Sequence, residues 1–358
     1  TIVQHFVPEK TTMHLTRRLF SLAAAGAMSL AAFGGAGVGA AMAETDIKFT
    51  LDWKFEGPSA PFFVAIDKGY FEDEGLDVTI DSGAGSRESI PRVATGAYQM
   101  GFGDLNAVVK FLDEQPDAAV EAIYIVYDKP PFAVIGRRSQ GITEDPKSLE
   151  GKTLGAPPPD AAFAQWPAFV DAAGIDTSGI TIESVGFPVR EPMLAQGQVD
   201  AIFGFSFSSV LNLKAQGVAD DDIVPIFMAD NGLDLYGNAI IVNTEWAEAN
   251  PDAVKGFLTA LTKGIQDTIA SPEEAVKSVM SRNDIASEEV ELARLEMALE
   301  DNIVTEATES DGLGDVDMER LASSIEQLKT SFEMANPPAA DRVFDRQYLP
   351  PIEERMPN

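Results

Sequence analysis

Residues 51–80, "LDWKFEGPSAPFFVAIDKGYFEDEGLDVTI", decide the fold. A β-rich run over 47–53 leads in, and Phe62, Phe63, Ile66 and Tyr70 then recur at the spacing of one helix face. Ser59 stands near the start of that helix and Pro61 in its first turn, where a missing N–H costs nothing. The helix is expected to stop near Gly75, and 76–80 reads as the next strand. Strand, helix and strand in quick succession are the unit of layered α/β proteins. Asp52 and Trp53 fall at the carboxyl end of the first strand, the edge on which open α/β sheets bind ligands.

The alternation continues outward from this unit. Strands are expected over 100–103, 120–127, 132–136, 153–156, 180–185, 199–204 and 238–242. The helix after "DSGAGSRES" starts at Ser86, which leaves Pro91 one turn inside, or at Ser89. Asp104 reads as the cap of a helix carrying Leu105, Val108, Val109 and Leu112, and Asp160 opens another. A helix is expected over 189–196, and Ser271-Pro272-Glu273-Glu274 reads as a capping box. Ala94, Gly96, Phe102 and Gly103 recur as Ala195, Gly197, Phe203 and Gly204 at a constant offset of 101, the trace that two similar lobes would leave. A chain of 358 residues is also long for one compact core.

Composition excludes whole classes of chemistry. From Met13 the chain reads as an export signal: Arg17 and Arg18, an Ala/Gly-rich apolar run, and Ala41-Met42-Ala43 as the cleavage site. Both the twin-arginine and the general export route fit, so the expected location is the periplasm. There is no cysteine, and the two histidines, His5 and His14, precede the cleavage site. The mature chain therefore lacks Ser-His-Asp and Cys-His nucleophilic systems, His/Cys zinc sites and disulfides. A net charge of −31 opposes binding to nucleic acid or to anionic membrane. No cofactor or metal is expected.

Several blocks together carry a family resemblance. "LDW", "FFVAIDKGYFEDEGLDV", "GAGS", "VATGAYQMGFGDLNAVV", "SLEGKTLGAPPP" and "VFDRQYLPP" resemble the solute-binding proteins of ABC importers for nitrate, taurine, alkanesulfonates and thiamine pyrimidine precursors, in order from about residue 46 to 350. The resemblance implies a type II periplasmic-binding fold, two α/β lobes joined by two crossover segments. Lobe I is then expected over 44–136 and 236–358, and lobe II over 137–235. It further implies a monomer that delivers a small solute to an ABC permease and its ATPase, and that neither spans the membrane nor acts as an enzyme. A thiamine-pyrimidine synthase belongs to the same broad family, but it uses a histidine and a cysteine-rich motif that the mature chain lacks. A periplasmic sensor remains the third reading.

The candidate ligand residues follow from strand ends and helix starts. Asp52 and Trp53 match the "LDW" that opens the pyrimidine-precursor branch, and Trp53 offers an aromatic face to a planar or cationic ligand. Gly85, Ser86 and Arg87 offer backbone N–H, hydroxyl and guanidinium groups; a plain turn is the alternative. Asp104 and Asn106 open a helix on the same edge, with capping alone as the alternative. Asp160, Trp166 and Arg190 are the candidates across the cleft, although Trp166 also lies at core spacing from Phe163 and Val170. Phe205, Tyr236 and Phe187 complete the aromatic set. Where sulfonate binders resembling this chain carry Ser or Thr, Ala161 and Ala162 stand here, which turns the expectation toward a nitrogen heterocycle and away from taurine, a sulfonate or nitrate.

Overall fold

The computed structural model describes residues 44–357; the export-signal reading of 13–43 lies outside them. Ten strands form two five-stranded sheets. The first sheet has the order β2-β1-β3-β10-β4, from β1 (Thr45–Thr50), β2 (Leu76–Asp81), β3 (Met100–Asp104), β4 (Glu121–Ile125) and β10 (Asn238–Val242). The second has the order β7-β6-β8-β5-β9, from β5 (Phe132–Arg137), β6 (Thr153–Ala156), β7 (Thr181–Ser184), β8 (Ala201–Phe205) and β9 (Ile223–Phe227). In each sheet three parallel strands are followed by one antiparallel strand that arrives from the other sheet: β10 beside β3, and β5 beside β8. The two sheets are thus built on one plan.

The weak repeat in the sequence marks this plan. Helices Ser86–Ala94 and Phe187–Ala195, and strands β3 and β8, are related by the same offset of 101 at both ends of each element. Gly96 and Gly197 turn the chain between them at φ of 74° and 71°, a backbone region that glycine enters without strain.

The chain crosses between sheets earlier than the sequence suggests. Strand 132–136, expected in lobe I, is β5 and pairs with β8 and β9 in the second sheet. The C-terminal region does not belong wholly to lobe I either, because helix Met318–Phe332 packs against helix Trp166–Ala173. Strand β9 is absent from the sequence reading: Pro225 interrupts its β pattern, which an edge strand bonded only to β5 tolerates. The capping box at Ser271 does not form. That residue joins helices Pro251–Ala270 and Pro272–Met280 directly, with no side-chain cap bond, and its carbonyl accepts from the Glu274 and Ala275 N–H groups.

Aromatic packing sets the first helix against its sheet. Phe49 of β1 lies 5.2 Å from Phe62 and 5.3 Å from Phe257, all fully buried. Burying each ring removes some 150–250 Å² from water, so helix Ala60–Asp67 is held firmly with its start at the carboxyl edge of β1. Among the described residues, no helix is long and apolar enough to cross a membrane.

Candidate functional site

The chain leaves β1 along the carboxyl edge of the first sheet, and hydrogen bonds pin it there. The Gly85 N–H donates to the Asp52 carbonyl at 2.6 Å. Asp52 Oδ2 accepts from Ser86 Oγ at 3.2 Å and Asn238 Nδ2 at 2.7 Å, which gathers the ends of β1, the start of helix Ser86–Ala94 and the start of β10. No other residue among those described donates to Asp52 Oδ1. Burial pushes the Asp52 carboxyl up to about 6, with the Asn238 and Ser86 bonds pulling it back.

Asp104 lies directly behind. Its backbone N–H donates to Ser86 Oγ at 3.0 Å, and its carboxylate caps helix Leu105–Glu114 by accepting from the Asn106 and Ala107 N–H groups, both at 3.1 Å. Burial pushes it up to about 7, against bonds from Asn106 and Ala107 and with Asp52 adding to the rise. Neither carboxylate has a cationic partner among the described residues.

The opposing wall is built around a buried cation. Asp160 caps helix Ala161–Ala164 by accepting from the Phe163 N–H at 2.9 Å, and its other oxygen accepts from Arg190 Nη1 at 2.8 Å. Arg190 Nε donates to Glu191 at 2.8 Å, and Nη1 also donates to the Phe203 carbonyl at 3.1 Å. Burial alone would depress the Arg190 guanidinium, but Asp160 and Glu191 more than offset it and hold it above its ordinary value. Its plane lies 5.3 Å from the Phe187 ring, and Phe187 meets Trp53 edge to face at 4.7 Å.

Between the walls lies a cleft of about 680 Å³, its open mouth included. Asp52, Trp53, Glu56 and Phe62 line it from the first side, and Asp160, Phe187, Arg190, Phe205, Phe207 and Ser208 from the second. Two hydrogen bonds bridge its walls. Arg87 Nη1 donates to the Pro158 carbonyl at 3.1 Å, and Gln165 Nε2 reaches Asp104 Oδ2 at 3.4 Å. Such enclosure between lobes is the usual setting of a small-molecule site.

The structure brings Asp52, Trp53, Gly85, Ser86, Asp160, Arg190 and Phe205 together as lining. It separates the others. Arg87 ties the rim across the lobes and Asp104 stands behind the lining, tied to it through Ser86. Asn106 donates to Asp104 and to the Tyr236 carbonyl, so it fastens the second crossover segment. Tyr236 sits on that crossover beneath the Arg320 guanidinium, 3.9 Å from its ring. Trp166 packs on Phe203 at 5.3 Å in the core. Aromatic and capping residues satisfy core and cleft equally in a sequence pattern, and only tertiary packing separates the two uses.

Sequence reasoning missed Glu56, Phe207 and Ser208. A signal was available for Phe207, because the offset of 101 carries Asp104–Asn106 onto Phe205–Phe207. The expected double reading of the Ser86 helix resolves to a start at Ser86, with Pro91 inside it.

Two like-built α/β sheets facing each other across a cleft define the periplasmic-binding fold. The solved structure of the periplasmic aliphatic sulphonate binding protein SsuA from Escherichia coli matches with a TM-score of 0.67 over 85% of this chain and 99% of that one, at 12% identity. The profile of the NMT1/THI5-like family matches residues 57–275, and the chain belongs to that family. Among its relatives, riboflavin-binding protein RibY of Chloroflexus aurantiacus is 24% identical over 81% of this chain and 82% of its own. The formylaminopyrimidine-binding protein of Halalkalibacterium halodurans is 27% identical over 71% and 77%. A 4-amino-5-hydroxymethyl-2-methylpyrimidine phosphate synthase of Saccharomyces cerevisiae, THI13, is 27% identical over 66% and 71%.

Proposed function

We propose that this chain is the solute-binding component of an ABC importer, acting outside the cytoplasmic membrane, and that it closes its lobes on a planar nitrogen-containing ring. The observation that carries this reading is the cleft itself: the Trp53–Phe187 pair forms an aromatic jaw beside Asp52, whose second oxygen accepts from no other residue among those described. A flat ring with an N–H or cationic edge would pack against the jaw and give Asp52 Oδ1 a donor. Arg190, the guanidinium in the lining, is already paired with Asp160 and Glu191, and the other lining cation, Lys54, stands over the Trp53 ring at 5.3 Å with no salt bridge among the described residues.

Two relatives support the choice of ring, since riboflavin and formylaminopyrimidine are both nitrogen heterocycles. Synthase chemistry like that of the yeast relative finds no imidazole or thiol here: the chain has no cysteine, and its histidines are His5 and His14. Delivery of the solute to a permease and its ATPase completes the role, with the signal read over 13–43 supplying export.

Native mass spectrometry of protein purified from its producing cell, set against its denatured mass, tests the reading. A retained heterocyclic amine is expected. The same compound at about 100 times its Kd should add roughly 2.7 kcal/mol of stability, visible as a melting shift. A retained sulfonate or nitrate would overturn the choice of ring while leaving solute binding intact.

A further inference from the structure

Helix Glu288–Ala298 packs on the Gly57–Ser59 turn and on helix Pro272–Met280, both on the side of the first sheet. It also meets helix Ser206–Ala215 of the second, and Met297 packs against apolar clusters on both sides. Arg294 is the polar heart of this junction, with its side chain 3% exposed. On its own side, Nε donates to Glu291 Oε2 at 3.1 Å and lies 3.6 Å from Glu56 Oε2. Across the junction, Nη1 donates to the Phe207 carbonyl at 3.2 Å and Nη2 to Asn212 Oδ1 at 3.3 Å.

Glu56 connects this junction to the cleft. It lines the cleft, and its Oε2 accepts from Ser208 Oγ of the opposite lobe at 3.5 Å. Glu291 in turn accepts from the Gly57 N–H at 2.7 Å, which holds the Glu56–Gly57 backbone against the helix.

We propose that Arg294 is a closure latch, a positioning residue that stays paired with Glu56 and Glu291 of its own lobe and engages Phe207 and Asn212 of the other lobe only when the cleft is shut. The division of partners is what makes it a latch. Opening exchanges two bonds for water but strands no buried charge, because both carboxylates travel with the guanidinium. Contacts that exist in one state only shift the equilibrium toward it by their differential energy. Glu56 lies near Arg294 on one side and bonds Ser208 across the cleft on the other, so the latch and the cleft wall share one carboxylate.

The ligand arm of the test rests on the proposed function; the closure arm does not. Because the chain has no cysteine, Asp73→Cys with Ser178→Cys places two spin labels at exposed positions, one beside each sheet. Pulsed electron–electron resonance on the ligand-free protein then reads the distance between lobes. Arg294→Met is expected to move the distribution to longer distances, and Arg294→Lys to restore part of the short population. Asn212→Ala removes only the acceptor on the far lobe and is expected to shift the distribution in the same direction; it alone decides the matter if Arg294→Met does not fold. With 4-amino-5-hydroxymethyl-2-methylpyrimidine as probe, dissociation from Arg294→Met is expected to be about tenfold faster. Unchanged distances in both Arg294→Met and Asn212→Ala overturn the latch. Shifted distances together with no binding of the probe to the parent protein support the latch and count against the pyrimidine reading alone.

Discussion

Ser89 and Arg190 occupy the same place in the two lobes, 101 residues apart, and each donates to the carbonyl of the equivalent strand residue. Ser89 Oγ reaches Phe102 at 2.8 Å, and Arg190 Nη1 reaches Phe203 at 3.1 Å. The backbone plan is shared, but the electrostatics are not. A hydroxyl satisfies one carbonyl and does nothing for the carboxylates of its wall, so burial leaves Asp52 and Asp104 titrating near neutrality. A guanidinium satisfies the carbonyl, Asp160 and Glu191 at once. One wall is therefore a fixed ion cluster, while the other holds an acceptor open to a proton or a ligand donor.

Substituting the paired positions should expose the difference most strongly. Arg190→Met strands Asp160 and Glu191 in the interior and is expected to cost about 3–5 kcal/mol in urea unfolding. Ser89→Ala removes one hydrogen bond and should cost about 1 kcal/mol. Equal costs at the two positions would remove the contrast.

The aromatic jaw comes next. Trp53→Ala is expected to weaken binding of a heterocyclic probe by about 100-fold in calorimetry, with the melting temperature of the ligand-free protein nearly unchanged. Retained affinity would show that the open acceptor, not the ring, selects the solute.

A smaller effect should follow pH. Folding raises Asp52 from the ordinary 3.8 to about 6, so the folded state holds this proton more tightly than the unfolded chain does. The stability it contributes is fully present below about pH 4 and is lost as pH rises through about 6. Asp52→Asn removes that dependence. Its stability relative to the parent should climb between pH 4 and 6 by on the order of 2 kcal/mol and level off above pH 7. Melting curves at stepped pH that run parallel for the two proteins would show that Asp52 carries no such strain.

The smallest contrast is steric. A Cβ at Gly204 would meet Ser209 Oγ at 2.4 Å and Arg190 Cζ at 3.1 Å, whereas at Gly103 it would meet Ser89 Oγ at 3.1 Å and Ile90 Cγ1 at 3.3 Å. Gly204→Ala should therefore cost roughly 1–3 kcal/mol and Gly103→Ala less, in parallel denaturant titrations.

Legibility from sequence was uneven for physical reasons. The strands 153–156 and 238–242 are readable to the residue because β-rich runs end at turn chemistry, while β9 is hidden by Pro225, harmless only because nothing pairs with that edge. Asp52, Trp53 and Asp160 are legible as cleft residues because a strand end followed by a helix start is a local pattern. Asn106, Tyr236 and Trp166 carry the same local signals, yet the fold spends them on a crossover and a core.

Local order, in the end, belongs to the sequence: strand and helix alternation, the repeat at 101 residues, the caps at Asp104 and Asp160, the absence of cysteine and the confinement of histidine to His5 and His14 all follow from short-range chemistry and composition. Charge pairing across distance belongs to the tertiary structure. Glu56 and Arg294 are separated by most of the chain, and Arg190 reads as any surface arginine until Asp160 and Glu191 enclose it. Whether a charge is solvated, paired or left open depends on which segments close around it, and that is decided only when the two lobes pack.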